Sequence, residues 1–330
     1  MQKFINSIHI SNFKSIKKIS LNECKRVNLL IGRPNVGKSN ILEALSLFCL
    51  PYLKYGKKKS IQQFIRVEND AELFFNGNID QNISVKADNM EAKIEMDSKG
   101  INVTLSYSDK ETITLPFSNL LLSTKKNIDD LSAVNPFKSY FYPTIFEKDK
   151  VSINYLLPPD GSNLMTVVTQ QTELKKELTE TFKEYGLKYV FDTNSQEIKI
   201  MKEKGAGEIF LIPFHSIADT LQRMIFYKAA IESNQNSVLI FEEPEAHSYP
   251  PYISKITQEI INSEQNQFFI TTHSPYVVND LLEQAENDLA IFLIDFKNGE
   301  TIIKRATSNE LQEMYEYGAD IFFNTETFLK

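Results

Sequence analysis

Gly32-Arg33-Pro34-Asn35-Val36-Gly37-Lys38-Ser39 fits the pattern G-x-x-x-x-G-K-[ST], in a chain of 330 residues that contains only 11 glycines. Ahead of it, Arg26-Val27-Asn28-Leu29-Leu30-Ile31 reads as a short buried strand. Behind it, Asn40 to Phe48 reads as a helix with an apolar stripe. That strand–loop–helix order is what phosphate binding requires. Glycines let successive backbone N–H groups curl around a phosphate, and the helix N-terminus adds the positive end of its dipole. In such a loop Lys38 reaches the β- and γ-phosphates of a nucleoside triphosphate, and the Ser39 hydroxyl ligates Mg²⁺. The plainer alternative, a strand-to-helix turn with a solvated lysine, does not need this glycine spacing.

Two further strands end in polar groups. Ser237-Val238-Leu239-Ile240-Phe241 runs into Glu242-Glu243-Pro244-Glu245, and a buried parallel strand delivers ligands at its C-terminal end. Glu242 is placed to hold Mg²⁺ directly or through water, and Glu243 to orient and deprotonate an attacking water. Alternatively the glutamates open the next helix, where negative charge suits the dipole. Gln267-Phe268-Phe269-Ile270-Thr271-Thr272 leads into His273-Ser274-Pro275, which sets an imidazole near a γ-phosphate, with Pro275 able to start a helix. A lone histidine can equally be a satisfied structural residue.

GRPNVGKSN, VLIFEEPEAH and FFITTHSP, in that order, resemble the ABC-type ATPases related to the overcoming-lysogenization-defect nucleases, and the heads of chromosome-maintenance and break-repair ATPases. The opening Ile8-His9-Ile10-Ser11-Asn12-Phe13-Lys14-Ser15 is similar to that group's N-terminal strand and turn. The resemblance implies an α/β P-loop NTPase of ABC-ATPase type, with a mostly parallel core sheet flanked by helices, an antiparallel β lobe and a helical insertion. It makes Gly32, Asn35, Val36, Gly37, Lys38, Ser39 and Asn40 the nucleotide cradle and brings Lys14 near the phosphates or ribose. It assigns Mg²⁺ to Ser39 and Glu242, the base to Glu243 and the γ-phosphate switch to His273.

Two departures stand out. The family's metal ligand is Asp where this chain has Glu242. The signature that a second subunit contributes has its nearest counterpart in His215-Ser216-Ile217-Ala218-Asp219, with Ala218 where glycine belongs. Ser216, Asp219 and Arg223 are candidates for contact with a partner's ATP. An ordinary N-capped helix from Asp219 explains the same residues.

One ATPase head, 1–330, accounts for the chain: 1–50 and 208–330 as nucleotide-binding core, 68–118 as antiparallel lobe, 119–207 as a mainly helical insertion with some strands. The lobe begins with Ala71-Glu72-Leu73-Phe74-Phe75 as its first strand, and Asn76-Gly77 and Lys99-Gly100 mark turns. The clearest insertion helix runs from Glu173 to Tyr185, with Leu174, Leu178, Phe182 and Tyr185 on one face and Gly186 as stop. Gln62 or Gln63 could sense Mg²⁺, although a polar connection explains both, as a solvated loop explains Lys57-Lys58-Lys59. Phe137, Tyr140, Phe141, Tyr142 and Phe146 fit a core or partner surface better than a base-stacking platform. Sustained heptads are absent, which removes long coiled-coil arms. Asp295 lacks a paired acid, which argues against a Toprim nuclease domain.

Composition narrows the class. Hydrophobic residues at 42% and charged at 24% are those of a globular chain, and two cysteines and four histidines without H-E-x-x-H spacing exclude a disulfide scaffold and a zinc protease. No apolar run reaches membrane length, so a cytoplasmic protein is expected. The net charge of −7 argues against a broadly basic nucleic-acid coat. The expected activity is Mg-dependent ATP hydrolysis in a homodimer, gating a separately encoded effector or nuclease, with DNA as a possible ligand. The alternative is an ATP-gated regulatory scaffold for a protein effector or toxin with little nucleic-acid binding. Transport through a membrane partner fits the opening strand poorly.

Overall fold

The computed structural model describes residues 4–108, 111–123, 134–143, 153–192, 197–205, 207–317 and 322. The chain opens with β1 (Ile8–Phe13), β2 (Ile16–Leu21) and β3 (Val27–Ile31), and α1 (Lys38–Ser46) follows the glycine loop. Next come β4 (Ile83–Ala87), β5 (Met90–Asp97), β6 (Gly100–Ser108), β7 (Glu111–Ser118), β8 (Leu121–Leu122) and β9 (Phe137–Tyr140). Then follow α2 (Leu164–Gln170), α3 (Thr172–Glu184), β10 (Lys188–Asp192), β11 (Glu197–Gly205), β12 (Glu208–Pro213) and α4 (Asp219–Glu232). The last part alternates: β13 (Val238–Glu242), α5 (Pro250–Asn262), β14 (Gln267–Thr271), α6 (Pro275–Ala285), β15 (Leu289–Lys297), β16 (Glu300–Arg305) and α7 (Ser308–Tyr317).

Three sheets result. The core sheet has the order β16-β15-β3-β14-β13-β9 and is parallel from β15 to β9, with β16 antiparallel at its edge. The lobe is antiparallel, β2-β1-β4-β5-β6-β7-β8, and β10-β11-β12 form a small third sheet. The core strands read as unbroken apolar runs because both faces are covered. Leu30, Ile240, Phe269 and Phe292 point into one core shared with α1 and the lobe. Their neighbours Leu29, Phe241, Ile270 and Leu293 point the other way, into a core shared with α4, α5 and α6. Proline starts both α5 and α6, at Pro250 and Pro275, where its missing N–H is one the helix would leave unpaired anyway.

The sheets partition the chain differently from the expected boundaries. β1 and β2, expected with the rest of residues 1–50 in the nucleotide-binding core, belong to the lobe sheet, because β1 pairs with β4. β12 pairs with β11 in the third sheet, and the core takes β9 from within the expected insertion. Phe137 and Tyr140 are therefore buried core residues, Phe137 stacked on Phe48 with ring centroids 4.5 Å apart, so neither can present a face to a base. Phe146 lies outside the described residues. Ala71–Phe75 is not a strand: Asn69 caps a 3₁₀ turn at Asp70–Leu73 by accepting from the Glu72 N–H, and Leu73 and Phe74 are buried from there. On α3, Leu174, Leu178 and Phe182 are buried whereas Tyr185, just past the helix end, is exposed.

Helices α3, α4 and α5 are joined by Lys228. Its ammonium, 7% exposed, lies 2.6 Å from Glu177 and Glu259 and 2.8 Å from Glu232. Burial opposes its charge, yet the three carboxylates hold its pKa above the ordinary lysine range. Lys228→Ala leaves those acids without a cation in a partly buried site, and urea unfolding should show a loss of about 3 kcal/mol. A change within the error of the measurement would mean that the cluster is solvated.

Candidate nucleotide-binding site

The geometry of the site begins with strand register. Leu30 of β3 pairs with Thr271 of β14, and Thr271 pairs with Glu242 of β13, so three strands end level at one edge. Everything attached beyond those ends is thereby brought together. The loop leaving β3 turns through Asn35 at φ 62° and Gly37 at φ 100°. A Cβ on Gly37 would meet the Thr301 hydroxyl at 2.2 Å, and one on Gly32 the Ile294 carbonyl oxygen at 2.2 Å, so both glycines are sterically required. The loop is braced from outside. Thr301 donates to the Val36 carbonyl at 3.0 Å and lies 2.7 Å from the Ser15 hydroxyl, which accepts from the Asn40 amide at 2.6 Å.

Lys38 is buried, with Nζ donating to the Gly32 and Arg33 carbonyls at 2.8 and 2.7 Å. Burial lowers its pKa, and the carboxylates of Glu243 and Glu242 act against that. Ser39 donates to Glu242 Oε1, so the two groups read as cation ligands touch each other. Both are hard oxygen donors, which suits Mg²⁺, an ion that keeps several waters and binds one or two protein oxygens plus phosphates. Among the described residues no group of three or more His, Cys, Asp or Glu could hold a metal ion.

Glu243 leaves the sheet at φ 43°, in the left-handed region that a side chain disfavours. Its N–H donates to the Thr271 carbonyl at 3.1 Å, and its carboxylate lies 3.4 Å from His273 Nε2. Burial and the nearby Lys38 cation lower the His273 pKa, which keeps the imidazole neutral near pH 7 and able to accept as well as donate. The backbone around it is held by Glu245, whose Oε1 accepts from the Thr272 hydroxyl at 2.6 Å and the His273 N–H at 3.0 Å.

A family model described as an AAA domain, putative AbiEii toxin of a type IV toxin–antitoxin system, matches residues 27–279 and so takes in Gly32 to Asn40, Glu242, Glu243, Glu245 and His273. The chain belongs to that family. It is an ATPase-type domain with the P-loop NTPase fold of ABC-type heads. A Helicobacter pylori protein named ATP/GTP phosphatase is 24% identical over 87% of this chain and 90% of its own length. An uncharacterised protein of Methanocaldococcus jannaschii is 36% identical over 66 residues, and the match spans about a quarter, 27%, of that relative. Among solved structures, an Smc head bound to the C-terminal winged-helix domain of ScpA superposes with TM-score 0.57 at 16% identity, covering 94% of this chain and all of that one. A Pyrococcus furiosus Smc head with an extended coiled coil, bound to the C-terminal domain of ScpA, gives 0.50 at 11% identity over 95% and 99%. At these identities the likeness is one of fold.

The remaining expected residues are exposed or have other partners. Ser216 is exposed in a 3₁₀ turn before α4, and Ala218 caps α4 without a side-chain bond. Arg223 pairs with Asp219 at 2.8 Å and sits 4.4 Å over the Tyr142 ring. Among the described residues, no hydrogen bond or ion pair links Ser216 or Arg223 to Lys38, Ser39, Glu242, Glu243 or His273. Gln62 donates to the Val67 carbonyl at 2.8 Å, and Gln63 faces Gly56, so neither is aimed at Glu242. Asp295 pairs with Arg33 of the glycine loop at 3.1 Å. No helix among the described residues is long and apolar enough to cross a membrane.

Sequence reasoning passed over three charged residues that the structure puts in the site. Glu43, 2% exposed on α1, accepts from Lys14 on one oxygen and from Arg66 Nε at 2.7 Å on the other. Arg66 Nη2 continues to Glu242 at 2.8 Å. Lys14 thus reaches the cation ligands through two intermediates. Glu43 was visible as a lone charge inside an apolar helical stripe, four residues after Ser39 and hence on the same face. Arg66 and Glu245 had no comparable signal.

Glu245 supplies a test. Burial holds its carboxyl above the ordinary glutamate value, so the folded chain keeps this proton more tightly than the unfolded one. Its stabilisation is complete below that value and is lost as pH rises through the folded pKa. Glu245→Gln keeps an acceptor without a charge. Thermal unfolding should give it a Tm equal to the parent's near about pH 4 and higher near about pH 8. A parallel pH dependence in both proteins would show that the buried carboxyl is not a source of instability.

Proposed function

We propose that the chain hydrolyses ATP with Mg²⁺ at this edge, in a nucleotide-linked dimer, and uses the cycle to gate a DNA-processing or phage-defence partner. The observation that carries the reading is the level ending of β3, β14 and β13, which gathers Lys38, Ser39, Glu242, Glu243 and His273. The N–H groups of Gly32 to Asn40 and the Lys38 ammonium bind the triphosphate. Ser39 and Glu242 hold the cation, whose chemistry is neutralisation of charge on the phosphate oxygens. Glu243 orients the attacking water and takes its proton. The neutral His273 ring donates to the γ-phosphoryl oxygens, or to the water, from the strand end next door. Positioning and electrostatics suffice here because phosphoryl transfer asks little covalent chemistry of a protein.

The dimer part rests on incompleteness. Ser216, Asp219 and Arg223 lie at the start of α4 without a bond to the phosphate-side cluster, and a shared site gives them a nucleotide from the other subunit. ATP that bound only the closed pair would favour it by about 2.7 kcal/mol at a hundredfold excess over Kd. A second reading, an ATP-gated scaffold for a protein effector or toxin, is favoured by the toxin named in the family's description and by the net charge of −7. Retention of DNA that weakens steeply with salt supports the first reading. Its absence with ATP held unhydrolysed supports the second.

Lys38→Ala should abolish ATP binding measured by titration calorimetry. Glu243→Gln should keep binding, lower phosphate release by at least about a hundredfold, and accumulate an ATP-bound dimer by sedimentation velocity. Turnover at the parental rate in Glu243→Gln would remove Glu243 as the base, and an ATP-bound monomer would remove the dimer.

A further inference from the structure

Arg66 occupies one carboxylate oxygen of the acid proposed to hold the cation. Glu242 Oε1 takes both the Ser39 hydroxyl and Arg66 Nη2, the latter at 2.8 Å. A divalent cation on either oxygen of Glu242 would lie close to that guanidinium, and like charges so close repel strongly. The arginine is also built to move. Its Nε is anchored at 2.7 Å on Glu43, and Glu43 is 2% exposed with its second oxygen held by Lys14. The Arg66 side chain is itself 63% exposed, so its outer end can leave Glu242 for open solvent while the inner end stays in place. Lys14 Nζ also donates to the Arg66 carbonyl at 2.8 Å, which fixes the backbone from which that swing starts.

We propose that Arg66 is a displaceable occupant of the cation site, competing with Mg²⁺ for Glu242 and so setting the affinity with which the metal loads. This rests on the reading of Ser39 and Glu242 as cation ligands. Arg66 acts through Glu242 and is a positioning residue. In the metal-free protein it neutralises Glu242 beside Ser39. On loading, the divalent cation takes over that neutralisation and Arg66 keeps Glu43 alone.

The test reads metal affinity rather than turnover. Free Mn²⁺ is followed by electron paramagnetic resonance as the full-length chain, saturated with ADP, is titrated. Arg66→Gln should tighten Mn²⁺ by about tenfold, the worth of one charge-assisted contact. Arg66→Lys keeps the charge but cannot span both carboxylates; it should tighten Mn²⁺ less, and it decides the matter alone if the glutamine variant does not fold. Parental or weaker Mn²⁺ affinity in the folded variants would overturn the proposal. Glu242→Gln separates the two readings. Weakened Mn²⁺ binding in it keeps the cation site, so that failure at Arg66 sinks only the competition, whereas unchanged binding sinks the cation site itself.

Discussion

The level termination of three parallel strands is the constraint on which the site depends. Because side chains alternate, a one-residue slip of β14 against β3 or β13 would turn every apolar residue to the opposite core and carry His273 away from Glu243. Both faces of these strands are buried and apolar, so hydrophobic pattern alone specifies register weakly here. Polar groups at the far end do the pinning. Gln267 accepts from the Ile5 N–H at 2.9 Å and donates to the Ile5 and Lys25 carbonyls at 2.8 Å. Asn28 donates to the Phe268 carbonyl at 3.0 Å, and the Phe268 N–H to Arg26 at 2.7 Å. A shifted register would leave these buried amides unpaired, at about 1–3 kcal/mol each.

At the opposite end the same strands release into backbone that runs against local preference. Asn35, Glu243 and His247 all have positive φ without being glycine. A non-glycine residue in that region costs about 1 kcal/mol or more, and it persists only where surrounding structure over-determines it. For Glu243 the over-determination is visible: its N–H is fixed to Thr271, and the neighbouring Thr272 and His273 are fixed by Glu245. The stability of the apolar core thus maintains a strained rim, and the rim carries the ionisable groups.

How much of this was legible in the sequence follows from what each feature depends on. The glycine loop, the acidic strand end and the Thr-Thr-His turn were readable because each is local: a buried strand followed by special residues at fixed offsets. The partition into sheets was not, since it depends on pairing across distance. Nothing in Ile8–Phe13 announces that it pairs with Ile83–Ala87, and Phe137–Tyr140 is too short to declare itself a core strand. Ala71–Phe75 carries apolar residues dense enough for a strand, and one cap, Asn69 to Glu72, diverts it into a turn. Arg66 was illegible for the same reason. Its two carboxylates come from residues 43 and 242, and only the fold brings those together.

The lobe and the site are therefore mechanically continuous. The β1–β2 turn carries Lys14 to Glu43 and Ser15 to Asn40 and Thr301, while the Lys14 N–H donates to the Leu73 carbonyl at 2.9 Å. Thr301 in turn holds the Val36 carbonyl, at the crest of the glycine loop. One two-residue turn thus touches α1, β16, the segment entering the lobe and, through Glu43, Arg66. A change in what occupies Glu242 alters the charge balance on Arg66 and Glu43, and Glu43 is too deeply buried to exchange its partners for water. Coupling of this kind needs no long-range path: it needs only a buried carboxylate whose two oxygens are held from two different parts of the fold.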